Sequence, residues 1–520
     1  MIQLNTATDT GHIQYMYDTV KGLMEKGVKI GNVVKMYEYF VKTQKEIGDS
    51  LRVNYGIQNA NSGKQVIEFL QRLDDADVFE ECYNEEDGKW TSNKEALKRL
   101  KQLGYEFASE ILIYRKAKKY AESIKSIISA MDENKNIHPK VSLTKTNRIS
   151  YTEPALMNIP KKLLWHIVTP RKQGNVLFSA DIKNQEPTLM INILNIEELK
   201  FALTDERGLY EAIFAKVFEP KTKAYVYVVE GGKREILRNE DMMENPNVPP
   251  IYYTPIKPDV HTTYYDGKKV DIIDVCNTVT NIGVEPILPS KMAISTVDGK
   301  TYKVDVEWDA INKKDLSRSG GFELIGRLKE LDVECVNTER DEFKVAWNAM
   351  TYGASIFGIK KMCKRIDGEL LYKYFSKIEG FKKYRSECRK LAKNGINRIN
   401  TLFRTTMYTD KYEEKELARS LMDLPIQGTG ADILSNLIMS FNNETEKMGL
   451  QDKLMLYYPR HDELIIEADG EWVEEKGQEQ VIALIKSLLE HRINDWEPFK
   501  LEVKAVEKDV LRLDEDDDNE

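Results

Sequence analysis

Two carboxylates stand where apolar runs give out. Asp181 closes the run NVLFSA and is followed by IKNQEP, and His461-Asp462-Glu463 forms the polar tip between the two apolar stretches of KLMLYYPRHDELIIEAD. Strand ends far apart in sequence can bring two aspartates together. A pair of hard oxygen ligands then holds two Mg²⁺ ions whose shells are completed by substrate phosphates, which is the chemistry of phosphoryl transfer. Taken singly, each Asp reads more simply as a turn or cap residue; the pairing favours the functional reading. A second set, Arg340, Lys344, Asn348 and Tyr352, recurs every four residues in RDEFKVAWNAMTYG. A step of four drifts only about 40° around a helix, so the four run along one side. Arg and Lys toward the N-terminal half with a ring further on suit a grip on a triphosphate and a stacked base. On spacing alone a solvated helix face is an equally good reading.

The elements that must position these residues follow from periodicity. Over the first 140 or so residues, GLMEKGVKIGNVVKMYEYFVKTQKEI, GKQVIEFLQRL, SNKEALKRLKQL and SEILIYRKAKKYAESIKSIISAM carry apolar residues at three and four spacing and predict helices. The run from Asn175 to Ala180 is a buried strand by length and composition, and a helical stretch follows it, ending near Phe218. From about Pro220 to Val336 the texture changes. AYVYVV, PPIYYTPI, HTTYYDGKKVDIIDV and AISTVDGKTYKVDVEW are β-type runs, two of them with hairpin signals at Asp266-Gly267 and Asp298-Gly299. They predict a small β-rich module inserted into a helical region. Helical patterns return until Met422, and the chain closes with the hairpin around His461, a helix, and the strand-like FKLEVKAV.

Composition bounds the class. With 520 residues, 41% hydrophobic, 31% charged, 16 Pro and 29 Gly, the chain is an ordinary globular protein of several subdomains, not a fibre or a disordered chain. The five cysteines, Cys82, Cys276, Cys335, Cys363 and Cys388, are scattered and form no CxxC pair, which predicts reduced thiols and no structural zinc. The polar opening MIQLNTATDT and the lack of any run of about 18 apolar residues predict neither a membrane span nor a secretion signal, and a cytoplasmic setting. The net charge of −9 owes six of its negative charges to the tail from Asp514 to Glu520. From Arg115 to Arg148, nine Lys or Arg face three acids, so an acidic average can hide a basic groove; a solvated helix face is the plainer alternative.

At this point the residues resemble the family A DNA polymerases of the bacterial DNA polymerase I type. SGKQVIEFL, SNKEALKRL and ILIYRKAKKY resemble the family's thumb, and LTKTNRISYTEPALMNIP its TxTxRxSxxxPxLxNIP segment. DIKNQE is similar to motif A, RDEFKVAWNAMTYG to motif B, LPIQGTGADIL to the QGTAAD helix, and RHDELIIE to motif C. The resemblance implies an α+β right-hand fold: a helical thumb over 1–147 with a short N-terminal extension, a palm with a small antiparallel sheet over 148–200 and 419–513, and fingers over 201–219 and 338–418. The β-rich insert would occupy 220–337 of the fingers, and 514–520 would be an acidic tail.

It further implies template-directed DNA synthesis with two Mg²⁺ ions, Mn²⁺ substituting, on primer-template DNA and dNTPs. Asp181 and Asp462 would be the metal ligands with the Ile182 carbonyl assisting, and Glu463 would lie near the ions. Arg340 and Lys344 would hold the triphosphate, with Lys344 the proton donor to the leaving group. Asn184, Asn348, Tyr352 and His461 would line the nucleotide or primer end. Glu186 would be the steric gate against a ribose 2′-hydroxyl. Arg115, Lys119, Arg148, Asn158, Arg419 and Gln427 would follow the DNA. A single-subunit RNA polymerase and a silent DNA-binding protein on the same scaffold are the rival readings. The sequence departs from the family at Asn348, where Phe or Tyr is usual, at Pro459-Arg460 in place of Gln-Val, and at Asp423 in place of Asn. Pro459 predicts a bulge before motif C. No 3′→5′ exonuclease is expected in this chain, and its lean length, missing proofreading domain and unusual insert suggest a bacteriophage or mobile-element replication enzyme. That insert reads as a clamp, as a docking site for a replisome protein, or as a tolerated embellishment.

Overall fold

The computed structural model describes residues 11–84, 88–231, 235–237, 263–490, 499–507 and 511–513. PPIYYTPI and the acidic tail therefore lie outside the described residues. Two compact units are seen. One comprises Met190–Asn397 and Asp410–Asp423, and the other takes in Arg398–Thr409 with the residues before Met190 and after Asp423.

The second unit begins with helices. Val34–Tyr55 and Glu106–Ala130 pair along their lengths, and the short helices Gly63–Arg72, Ala76–Cys82 and Lys94–Gln102 close the core around Leu51, Val66, Leu70, Leu97, Leu100 and Ile111. Each short helix starts on a side-chain cap, Ser62, Asp75 or Asn93, which accepts from backbone N–H groups of its own first turn; one such cap contributes about 1 kcal/mol. The first long helical stretch expected from the sequence is in fact broken. Gly11–Lys26 ends at Gly27, and Val28–Lys29 pairs with Asn136–Ile137 before the next helix opens. Gly27 has φ +85°, and a Cβ there would stand 2.8 Å from both Asn136 Cβ and His138 Cε1, so helical periodicity continued in sequence where backbone geometry could not.

The same unit holds a four-stranded antiparallel sheet in the order Leu454–Arg460, Glu463–Ala468, Val176–Ile182, Leu501–Ala505. Its second and third strands are almost wholly buried, which is why they read as apolar runs instead of alternating ones. The helix Glu414–Lys447 runs through Pro425, past the Met422 limit of the sequence pattern. Pro425 has no N–H, so the Leu421 carbonyl loses its helical donor. The Cys388 thiol supplies one at 3.6 Å, and the Tyr384 hydroxyl donates to the Met422 carbonyl at 2.5 Å.

In the first unit, Leu209–Val217 packs with Asn337–Thr351 through Tyr210, Phe214, Phe343 and Trp347, and Phe375 and Phe381 join Trp347 edge-on. Between those helices a sheet, nine-stranded among the described residues, leaves and returns. Lys221–Val229 lies parallel to Cys276–Asn281 and antiparallel to Gly320–Leu328, and Thr263–Tyr265, Lys268–Ile273, Lys291–Thr296 and Thr301–Trp308 continue the sheet. Asp266-Gly267 is a two-residue hairpin with both φ positive, as its sequence demands. The Ala224, Val226, Ile294, Val304 and Leu324 side chains form a core of its own.

Candidate active site

Sheet register decides what meets Asp181. In the Val176–Ile182 strand it stands directly opposite Glu463 on one side and Glu502 on the other. Pleating puts Ser179 on the same face, and its hydroxyl donates to the Glu463 carboxylate. Lys161, first residue of the Lys161–Ile167 helix, brings its ammonium 2.9 Å from Glu463 Oε1 and 3.4 Å from Asp181 Oδ2. Burial works against that charge, but the carboxylates of Glu463 and Asp181 outweigh it and hold the Lys161 pKa above its ordinary value. Glu463, at 3% side-chain exposure, is thus fully engaged within the protein.

His461 and Asp462 form the two-residue turn between Leu454–Arg460 and Glu463–Ala468. His461 takes φ +54°, and its pKa is lowered by burial and by the positive charges of Arg460 and Arg148. Burial, and then the neighbouring charge of Asp181, push Asp462 up to about 6. Two carboxylates that repel each other in a sheltered place fit a divalent cation. Among the described residues no group of three or more His, Cys, Asp or Glu stands in metal-holding geometry. A site of this kind supplies two carboxylates and leaves the rest of a hard ion's shell to water and phosphate oxygens.

The strand entering the turn is clamped. The Tyr151 hydroxyl donates to the Pro459 carbonyl at 2.9 Å, and Arg460 Nη2 to the Ile159 carbonyl at 2.9 Å. The expected bulge occurs earlier than Pro459, between Leu456 and Tyr458. Tyr457, left out of the ladder, donates its hydroxyl to Thr169 O at 2.8 Å and carries the Arg171 guanidinium 4.1 Å over its ring. Pro459 itself pairs with Leu464.

On the other side of Asp181, Asn184 turns the chain at φ +52° into the helix Gln185–Ile193. Glu186 lies in its first turn and takes Arg148 Nη2 at 2.5 Å, so two residues expected in different roles are brought together. Gln185 is buried against Gly430, where a Cβ would stand 2.7 Å from its Oε1. Lys119 and Asn158 are exposed and Gln427 half-buried in this unit. Arg115 differs: its guanidinium donates to the Ala60 carbonyl at 2.7 Å and the Ser92 carbonyl at 2.5 Å, and burial lowers its pKa. It holds the helical subdomain together from within. Asp432 of the QGTGAD segment is fully buried, bonded by the Thr401 and Thr405 hydroxyls at 2.5 and 2.9 Å and by His12 Nε2 at 2.8 Å.

The four-spaced set belongs to the first unit, with the exposed Arg419. Its drift starts at the edge of the buried stripe formed by Phe343, Ala346, Trp347 and Met350. Arg340 is accordingly half-buried, 5.7 Å over the Tyr210 ring and paired with Glu211, while Lys344 is exposed. Tyr352 is the residue at which the helix ends, before Gly353 with φ +86°.

Lys161 and Ser179 escaped the sequence reading. Ser179 had a signal, two residues before Asp181 on a strand; Lys161 had none beyond following Pro160. Among the described residues no helix is long and apolar enough to cross a membrane.

The profile of DNA polymerase family A matches residues 32–227 and 325–508, well over half of the chain, and the chain belongs to that family. DNA polymerase I of Rhizobium leguminosarum is 22% identical over 441 residues, 81% of this chain and 32% of the relative. DNA polymerase I of Caldicellulosiruptor bescii is 28% identical over 204 residues, 37% of this chain and 22% of the relative. The chain thus spans about a fifth to a third of the length of these curated relatives. The solved polymerase domain of Pol1 from M. smegmatis, in complex with DNA primer-template and dNTP, covers 95% of this chain and 69% of its own, with a TM-score of 0.58 and 17% identity, and shows the shared right-hand fold. A bacterial Ig-like domain profile (group 4) matches 273–331, inside the stretch that the polymerase profile leaves out.

Proposed function

We propose that the chain is a template-directed DNA polymerase that adds deoxynucleoside monophosphates to a primer 3′-hydroxyl, with primer-template DNA and dNTPs as its partners. The observation that carries this reading is the Asp181–Asp462 pair at neighbouring strand ends, whose repulsion still holds the Asp462 pKa up although Arg148 and Lys161 offset part of it, in a chain of family A. Asp181 and Asp462, with the Ile182 carbonyl, would hold two divalent ions, Mg²⁺ by the hardness of the donors. When bound, such ions activate the 3′-hydroxyl and neutralise charge on the departing pyrophosphate.

The protein's own groups do the rest. Lys344, exposed on its helix, binds the triphosphate and gives a proton to the leaving oxygen. Arg340 exchanges Glu211 for phosphate oxygens. Tyr352, Asn348, Asn184 and His461 border the nucleotide, and Glu463 holds the sheet face through Ser179 and Lys161. Glu186, pinned by Arg148, stands where a ribose 2′-hydroxyl would come. Lys119, Asn158, Arg419 and Gln427 follow the duplex backbone, which positions it without reading sequence. The Ig-like insert is read as a docking site for a replisome protein.

Primer extension on a primed DNA template with Mg²⁺ tests the reading. Deoxynucleotides extend the primer and ribonucleotides do not, and a mismatched primer is not shortened when nucleotides are left out. No extension by the wild-type chain would overturn it. Glu186→Ala raises ribonucleotide incorporation by about 10–100-fold, the scale of a lost steric contact; an unchanged sugar preference would remove Glu186 from the gate.

A further inference from the structure

The consecutive helices Gly368–Lys377 and Glu379–Lys393 border an open cavity of about 280 Å³ that the proposed reaction does not use. Lys382, Arg385, Ser386 and Arg389 line it from one side of the second helix, and Tyr372 lines it from the first. Phe381, Tyr384, Cys388 and Ala392 form the helix's buried stripe, with Phe381 also reaching the cavity, and the same period sets the cations beside that stripe along the cavity. Three cations share this wall, and among the described residues no carboxylate lines it. One arm of Arg385 donates to the Met350 carbonyl and its guanidinium also bonds the Tyr372 side chain, while its Nε is buried with no hydrogen-bond partner. Lys382 has Glu379 at 3.8 Å, but that carboxylate is 81% exposed and outside the lining. Buried donors left unmade are costly, and converging like charges repel. The wall is therefore built for an anion.

Tetrahedral phosphate oxygens match the arginine fork and the Ser386 hydroxyl, and Tyr372 offers a ring on which a base can stack. The volume is at the small end for ligand sites and admits one nucleotide unit, not a folded partner. We propose that this cavity binds the phosphate of a single nucleotide unit on Arg385, Arg389, Lys382 and Ser386, with its base against Tyr372. A free nucleotide and a single-stranded nucleic acid present the same chemistry. The proposal does not rest on the metal-site reading and uses none of its residues.

Hydrogen–deuterium exchange of the full chain, with EDTA present to keep divalent ions away from the carboxylate site, tests it with three probes: dTMP, a ten-residue oligothymidylate, and inorganic phosphate. Amides of the segment 372–389 become protected by at least one nucleotide probe, and Arg389→Glu abolishes that protection while the Mg²⁺-dependent extension rate stays within about twofold. Lys382→Ala, at an exposed position, gives the same loss of protection should the charge reversal disturb the helix. For the oligonucleotide, the log–log salt slope of affinity falls by about 0.7 for the one phosphate contact removed. Protection by the oligonucleotide alone assigns a backbone phosphate, and by dTMP alone a free nucleotide; either supports the site. Equal protection by inorganic phosphate would overturn the nucleotide assignment. Protection by none of the three, or protection unchanged in both variants, would overturn the site itself.

Discussion

Charge is handled in opposite ways in the palm sheet and in the insert sheet. In the palm, acids stand inside the ladder: Glu463 is 3% exposed and Glu467 1%, each tied to groups on other segments. In the insert, acids and bases pair across strands at the surface, Lys291 with Asp305 at 2.8 Å and Lys329 with Glu307 at 2.7 Å, all about half exposed or more. The insert's core, by contrast, is apolar. Buried charge costs stability unless it is paired, so its retention marks a place where something other than stability is served. The palm keeps that cost near both ends of the Glu463–Ala468 strand; the insert keeps its charges where water screens them.

Asp462→Ala breaks the comparison most severely. Losing a ligand worth several kcal/mol of charge stabilisation lowers the extension rate by about 10³-fold or more. It also removes the carboxylate repulsion, so the urea midpoint does not fall. A variant that lost activity only in proportion to lost folded protein would assign Asp462 to structure.

Much of this site was legible because apolar runs end on their carboxylates: NVLFSA stops at Asp181 and the last hairpin turns at Asp462. The basic stripe was legible from its spacing of four. What could not be read depends on pairings that no local pattern encodes. The Lys161 ammonium meets Glu463 from three hundred residues away in sequence, and Cys276–Asn281 runs parallel to Lys221–Val229 although other strands of the same sheet intervene in sequence. Arg115 read as part of a basic run, yet its guanidinium turns inward to two carbonyls. The helix through Pro425 was hidden because its freed carbonyl is met by Cys388, a residue from another helix.

Truncating each region's interior sharpens the contrast. Ile294→Ala in the insert core costs about 2–4 kcal/mol in the transition that exposes the insert, the range for a buried aliphatic cut to Ala. Extension stays within about twofold, read by exchange protection of the 291–308 strands beside a primer assay. Activity falling in step with protection would mean that the insert's core and the site are coupled. Lys161→Met in the palm costs about 2 kcal/mol by urea midpoint, below the roughly 3–5 of an enclosed pair because Lys161 is 23% exposed. A midpoint unchanged by Lys161→Met would place the palm pair with the surface pairs of the insert.

The smallest effects come from charges at the two rims, and pH separates them. Asp469 caps the helix Gly470–Lys476. The Lys172 ammonium at 3.0 Å, the Trp472 N–H and the Lys453 ammonium at 3.2 Å hold its pKa down to about 2. A depressed acid contributes stability that is present above the unfolded carboxylate pKa, about 4, and is lost as pH falls through about 2. Asp469→Asn therefore lowers the thermal midpoint at pH 7, and the difference from wild type shrinks between pH 4 and 2. The matching change in the insert, Lys291→Ala, removes one exposed partner of Asp305 and leaves the midpoint unchanged within error. Equal shifts from the two substitutions at pH 7 would mean that the helix cap and second lysine of Asp469 add nothing to a single screened pair.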